Sequence, residues 1–321
     1  MKKLFMLFIL ALITILSACS EETEQPADTP GKLSIYTTVY PLKYFAEEIG
    51  KDQVQVETIY PPGADEHTFE PSQKDMIKLA ESDLFIYIGL GLEGFVNKAK
   101  PVLEEEGVNL LAAGENIEEM MDAEEHDHGH ENGLQEEEHS DHDHEHGNID
   151  PHVWIDPVYA KQLALAIKEE LIKQLPDQKD MLEKNYDDLV KRLDELDQQF
   201  QSLAEGAKRK KFIVAHGAYG YWEKRYDLHQ ISLAGISSAH EPSQKKLQQI
   251  IEEAKKENIK YVFIEQNISS KNAEIIQNEI GAKSLKLHNL SVLTEQDIEQ
   301  NRTYFSIMED NLKALEKGLN E

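Results

Sequence analysis

Short β-rich runs alternating with helical stretches limit the fold of this chain more than any other feature. Residues 33–39, 54–60 and 84–88 are rich in Val, Ile, Thr and aromatic residues, and helical stretches over 41–49 and 72–82 separate them. The pattern returns late in the chain, with runs at 211–215, 231–233, 261–264 and 284–287 and helices over 241–255, 271–280 and from 295 onward. Parallel neighbours need a long crossover, usually a helix, so each half predicts a mostly parallel sheet flanked by helices. The fold class is therefore α/β with two lobes, residues 32–156 and 208–321. In open sheets of this kind a ligand binds beyond the carboxyl ends of the strands. His67 lies just past the Pro61-Pro62-Gly63 stop of one run, while His216 and Glu265 directly follow two others.

Residues 157–207 lie between the lobes. A helix over 158–175 carries Leu163, Ala166, Ile167, Leu171 and Ile172 at helical spacing and is broken by Pro176. Residues 177–207 then present one stripe, Leu182, Tyr186, Leu189, Leu193, Leu196 and Phe200, on an otherwise charged helix. At 1.5 Å per residue its roughly 30 residues span about 45 Å, enough to cross from one lobe to the other. A packing helix gives the same stripe, and the heptads are too few to favour a coiled coil.

At the start, Lys2 and Lys3 precede an apolar run over 4–16, and Leu16-Ser17-Ala18-Cys19 follows. The run is too short to cross a bilayer and ends in small residues, so residues 1–18 read as a secretory signal peptide. Cys19 has no second cysteine to pair with, which excludes disulfides from the mature fold. Residues 19–31, polar and carrying Pro26 and Pro30, read as a tether. The formal net charge of −28 becomes −30 when Lys2 and Lys3 leave. Such a surface repels nucleic acid and anionic headgroups and draws cations.

Residues 122–147 carry seven histidines, His126, His128, His130, His139, His142, His144 and His146, among eleven carboxylates. A block of like charge with almost no apolar residue builds no core, and its composition is a sign of metal binding. Asp150-Pro151-His152-Val153-Trp154 follows and sets one histidine on a rigid turn. A lone histidine at a strand end is more often hydrogen-bonded structure than ligand. Three at corresponding positions, His67 and His152 from the first half and His216 from the second, are placed to converge in an interlobe cleft. Three imidazoles and one oxygen suit tetrahedral zinc, whereas manganese or calcium calls for more carboxylate. His229, His240 and His288 read as structural or surface residues. The chain has no His-Glu-x-x-His helix, Gly-x-Ser-x-Gly elbow or Gly-rich phosphate loop, which counts against an enzyme.

Together, the Leu16 to Cys19 motif, Pro62-Gly63-Ala64-Asp65-Glu66-His67 with Glu70-Pro71-Ser72, the acidic His-rich loop, Asp150 to Trp154, Ala215-His216-Gly217-Ala218-Tyr219, Glu241-Pro242-Ser243 and Phe263-Ile264-Glu265 resemble the zinc-uptake substrate-binding lipoproteins of bacterial ABC transporters. The motifs occur in order over nearly the whole mature chain. The resemblance implies two α/β lobes joined by one long helix, with Zn(II) held between them by His67, His152 and His216. It also implies cleavage before Cys19, lipid on Cys19, and a His-rich loop that collects metal. Many such relatives place an acidic fourth ligand where this chain aligns Ser291, so the fourth donor is left among Glu66, Glu265 and a water.

The expected function is that of a monomeric, lipid-anchored receptor on the extracytoplasmic membrane face. It catalyses nothing, captures Zn(II) and passes it to an ABC permease. Because imidazole must be neutral to bind metal, capture should weaken as pH falls toward about 6.5. The long helix should restrict hinge opening, so loading should change loops more than the angle between lobes. A manganese receptor, a metal-dependent surface adhesin and a metallohydrolase using Glu66 or Glu265 as base are the rival readings.

Overall fold

The structure, a computed structural model, describes residues 31–115, 117, 149–237, 242–266 and 271–321. The signal peptide, Cys19, the tether to residue 30, the seven histidines of the acidic loop, and His240 with Glu241 lie outside the described residues. Leu33–Glu321 forms one compact unit.

Strands β1 (Leu33–Thr37), β2 (Val54–Thr58), β3 (Leu84–Tyr87) and β4 (Asn109–Ala112) form the first sheet, in the order β2-β1-β3-β4 with every pair parallel. Helices α1 (Tyr40–Gly50), α2 (Gln73–Ala80) and α3 (Val96–Glu105) are its crossovers. Leu84, Phe85 and Ile86 of β3 are fully buried, as a strand covered on both faces requires. Ser72 starts α2 with a capping box, its hydroxyl accepting from Asp75 N while the Asp75 carboxylate accepts from Ser72 N. Strand β4 and helix α3 were not expected from sequence. Pro101 inside α3 and the mixed polarity of Asn109-Leu110-Leu111-Ala112 mask both signals.

Asp156 then caps α4 (Pro157–Gln174), accepting from the Val158 and Tyr159 amides with Pro157 in the first turn. Helix α5 (Lys179–Gly206) buries Leu182, Leu189, Leu193, Leu196 and Phe200 along the expected stripe. Its first half meets the first lobe, where Asn185 Nδ2 donates to Ile49 O at 2.9 Å. Its second half meets the second lobe, where Phe200 packs on Trp222 and Tyr226, with ring centroids 4.9 and 5.4 Å away. The helix therefore bridges the two sheets, and the stripe is more than local packing.

The second sheet repeats the first. Strands β5 (Lys211–Val214), β6 (His229–Ser232), β7 (Tyr261–Ile264) and β8 (Lys283–Lys286) run parallel in the order β6-β5-β7-β8. Helices α6 (Gly220–Tyr226), α7 (Gln244–Lys256) and α8 (Lys271–Ile280) connect them. The chain does not end in one helix from residue 295, as the sequence predicts. It ends in α9 (Glu295–Glu299) and α10 (Tyr304–Asn320), separated at Asn301, whose φ is +51°, and restarted by a capping box between Thr303 and Ser306. Polar cap residues outweighed the apparent continuity of the apolar pattern.

Candidate metal centre

Two histidines stand at the third position of an Asp-x-His turn. Asp65 Oδ1 accepts from the His67 amide at 3.0 Å and from the Thr68 amide at 3.1 Å, fixing the loop beyond β2. Asp150 Oδ1 likewise accepts from the His152 amide at 3.0 Å, and it also meets His152 Nδ1 at 2.7 Å. That contact holds a proton on Nδ1 and turns Nε2 toward the cleft. His216, just past β5, is held in the same sense, because its Nδ1 bonds Glu265 Oε1 at the end of the adjacent strand β7.

The three rings meet. His152 Nε2 lies 3.2 Å from His67 Nε2 and 3.4 Å from His216 Nε2. A tetrahedral zinc held at about 2.0–2.1 Å by two nitrogens sets those nitrogens about 3.3 Å apart. Unprotonated lone pairs at this spacing repel one another, and a proton or a cation between them removes the conflict. Glu66 completes the group: one ligand atom from each of Glu66, His67, His152 and His216 falls within 4.8 Å of all the others. Among the described residues no other cluster of metal-ligating side chains has this form.

Burial grades across the site. His152 and His216 are enclosed, Glu66 is 6 % exposed, and His67 stands half-buried on a cleft of about 830 Å³ that Glu93, Lys100, Glu115 and Ile236 also line. Burial, and then the positive charge available to His152 and His216, pushes the His67 pKa down to about 4. Burial also raises the Glu66 carboxyl, against the pull of the same two histidines. For His216, burial favours the neutral ring, but the charge and hydrogen bond of Glu265 outweigh it and the pKa rises.

The remaining candidates separate by their contacts. Both oxygens of Glu265 are engaged, one by His216 and one by Asn289 Nδ2 at 2.7 Å. Ser291 donates its hydroxyl to Asn289 Oδ1 at 2.9 Å. His288 Nδ1 accepts from the Leu290 amide at 2.9 Å, and His229 is exposed at the start of β6. Sequence reasoning missed Asp150 as the group that orients His152, and Asn289, which also donates to Glu66 Oε1 at 3.1 Å. The repeated Asp-x-His spacing at residues 65–67 and 150–152 was a usable signal for the first. Nothing local marked the second.

The chain is similar to proteins that bind zinc. The zinc-binding lipoprotein AdcA of Streptococcus pneumoniae is 34% identical over 317 residues, 99% of this chain but 61% of the relative, so the chain spans about three-fifths of that protein. The high-affinity zinc uptake system protein ZnuA of Bacillus subtilis is 35% identical over 321 residues, covering 99% of this chain and 98% of the relative. The crystal structure of the Zn(II)-bound ZnuA-like domain of S. pneumoniae AdcA superposes with a TM-score of 0.72 at 32% identity, over 91% of this chain and 100% of that one. A family model described as zinc-uptake complex component A, periplasmic (ZnuA) matches residues 35–318, and the chain belongs to that family.

Proposed function

We propose that the protein is an extracytoplasmic receptor that captures Zn(II) and hands it to the permease of an ABC transporter. The observation that carries this reading is the spacing of the three Nε2 atoms, 3.2 and 3.4 Å, with Glu66 alongside. His67, His152 and His216 are the nitrogen ligands and Glu66 the fourth donor. Glu265 acts behind His216 and Asp150 behind His152, holding the rings with Nε2 inward. Three imidazoles and one carboxylate suit zinc better than manganese, which takes more oxygen. The family is one of solute receptors and not of enzymes.

Cys19 carries the lipid that holds a monomeric receptor at the membrane. The His-rich loop with His126, His128, His130, His139, His142, His144 and His146 raises the local concentration of zinc near the cleft. Helix α5 packs against α1 in the first lobe and against α6 and α10 in the second, so loading alters loops more than the angle between lobes. The expected acid edge shifts in detail. His67 stays neutral down to about 4, while Glu265 favours the proton on His216. Zinc therefore competes mainly with the His216 proton, and capture weakens as acid refills that site.

The test is metal stoichiometry and competition on the soluble protein from Ser20, with and without residues 122–147. The expected result is one tight zinc that survives loop deletion, is lost in His67→Ala, His152→Ala or His216→Ala, and resists excess manganese. Tight binding that leaves with the loop, and is indifferent to those three substitutions, would make the protein a surface metal buffer instead.

A further inference from the structure

The side chain of Asn289 ties together two carboxylates that serve the cleft differently. Its Nδ2 donates to Glu66 Oε1 at 3.1 Å and to Glu265 Oε2 at 2.7 Å. Its Oδ1 accepts from the Ser291 amide at 3.1 Å, the Ser291 hydroxyl at 2.9 Å and Gln266 Nε2 at 3.1 Å. A backbone N–H can only donate and an ionised carboxylate can only accept. One orientation of the amide therefore satisfies both sides, and both its protons are committed to carboxylates.

The loop carrying Asn289 is fixed by contacts outside the metal cluster. Asn311 brackets His288, accepting from its amide and donating to its carbonyl, both at 2.8 Å. The carbonyl of Asn289 accepts from the Trp154 indole at 2.7 Å, and Ser291 O accepts from the Tyr40 amide at 2.8 Å. Leu290 between them holds a φ of +63°. The amide is thus placed by the scaffold, with both carboxylates within reach of its Nδ2.

We propose that Asn289 is a specificity-determining positioning residue: by holding Glu66 Oε1 it limits Glu66 to one oxygen toward the cation and keeps the site at four donors. The proposal rests on the reading of Glu66 and the three histidines as zinc ligands. A carboxylate free to turn can bind through both oxygens, and cations such as manganese that favour six or more oxygen-rich donors gain from that freedom. Zinc at a tetrahedral site gains nothing from it. A neutral amide here also joins Glu66 to Glu265 without adding a third anion to the cluster.

The experiment compares wild type with Asn289→Ala and Asn289→Asp. The second keeps the shape and the acceptor for the Ser291 amide, and puts a third anion where the donor stood. Zinc and manganese affinities are measured by chelator competition, the Co(II)-loaded protein by visible absorption, and the metal-free fold by thermal melting. Zinc affinity should fall about 10–100-fold, the range seen when a partner of a ligand is removed. Manganese affinity should fall less, so the zinc-to-manganese ratio drops severalfold in both variants. The intense tetrahedral Co(II) band should weaken as coordination expands. An unchanged ratio and Co(II) band in a variant that melts as cooperatively as wild type would overturn the proposal. Should Asn289→Ala fail to fold, Asn289→Asp decides. If wild-type zinc binding survives His67→Ala and His216→Ala, the zinc-site reading itself has failed and the role of Asn289 falls with it.

Discussion

The two sheets have the same strand order, and each places a carboxylate where its two central strands end. In the second sheet β5 and β7 bring His216 against Glu265. In the first, β1 and β3 bring Thr38 against Glu93, whose Oε1 accepts from the Thr38 hydroxyl and the Ile88 amide, both at 2.8 Å, while Oε2 accepts from the Gly89 amide at 3.0 Å. One carboxylate backs an imidazole that faces the proposed cation site; the other closes the turn after its own strand. The first sheet instead offers Glu66 and His67 from the loop after β2. A repeated topology supplies repeated slots, and the side chains decide whether a slot does chemistry or carpentry.

Matched substitutions at the two slots should separate these roles. The largest effect is expected from His216→Ala, which removes a proposed ligand. Tight zinc should be lost by more than the roughly 100-fold that an outer partner costs, whereas Thr38→Ala should leave zinc affinity alone and lower stability by about 1 kcal/mol for its lost hydrogen bond. Next come the carboxylates. Glu265→Gln should weaken zinc about 10–100-fold with little change in the metal-free melt. Glu93→Gln should do the reverse, destabilising the fold by about 1–3 kcal/mol as an NH₂ is turned on one backbone N–H, with zinc affinity kept. Chelator competition and urea denaturation read the two outcomes, and equal zinc loss at both positions would break the comparison.

A smaller effect is expected at Gly220, at the start of α6. A Cβ there would stand 2.8 Å from Asp150 Oδ2. Gly220→Ala should push Asp150 off His152 Nδ1 and cost about tenfold in zinc affinity, the low end for such a partner. Calorimetric titration showing wild-type affinity would mean that Asp150 yields without disturbing the ring.

These cases mark what the sequence could carry. The β-rich runs, the α5 stripe and the three histidines were legible because periodicity, and histidines placed at strand ends or on a rigid turn, are local signals. Strand β4 was not, since its four residues alternate with nothing. Asn289 was not, since it acts on a partner in another segment: it lies 223 residues from Glu66. The choice among Glu66, Glu265 and a water was open for the same reason, since it turns on distant partners: both Glu265 oxygens are hydrogen-bonded in the structure, and Glu66 has Oε1 bonded to Asn289.

The smallest net effect is expected in the pH dependence of the metal-free fold, because two groups of the first lobe, Glu93 and His67, oppose each other. Burial, against its three hydrogen bonds, pushes the Glu93 pKa up to about 7 from an unfolded value of 4.5. The folded state then binds more protons between those values, so this group's contribution is fully present below 4.5 and lost as pH rises through about 7. His67, pushed down to about 4 from 6.5, has the opposite sign: its contribution is present above 6.5 and lost as pH falls through about 4. Between about 4.5 and 6.5 the slopes cancel in wild type. Glu93→Gln should leave the His67 slope, with urea midpoints falling from pH 6.5 to 4.5, and His67→Ala should leave the Glu93 slope, with midpoints rising over the same range. Each comparison is made as the difference from wild type, which removes the titrations common to both proteins. Parallel pH curves for the two variants would mean that the buried carboxyl of the first lobe and the open histidine of the cleft do not titrate as their surroundings require.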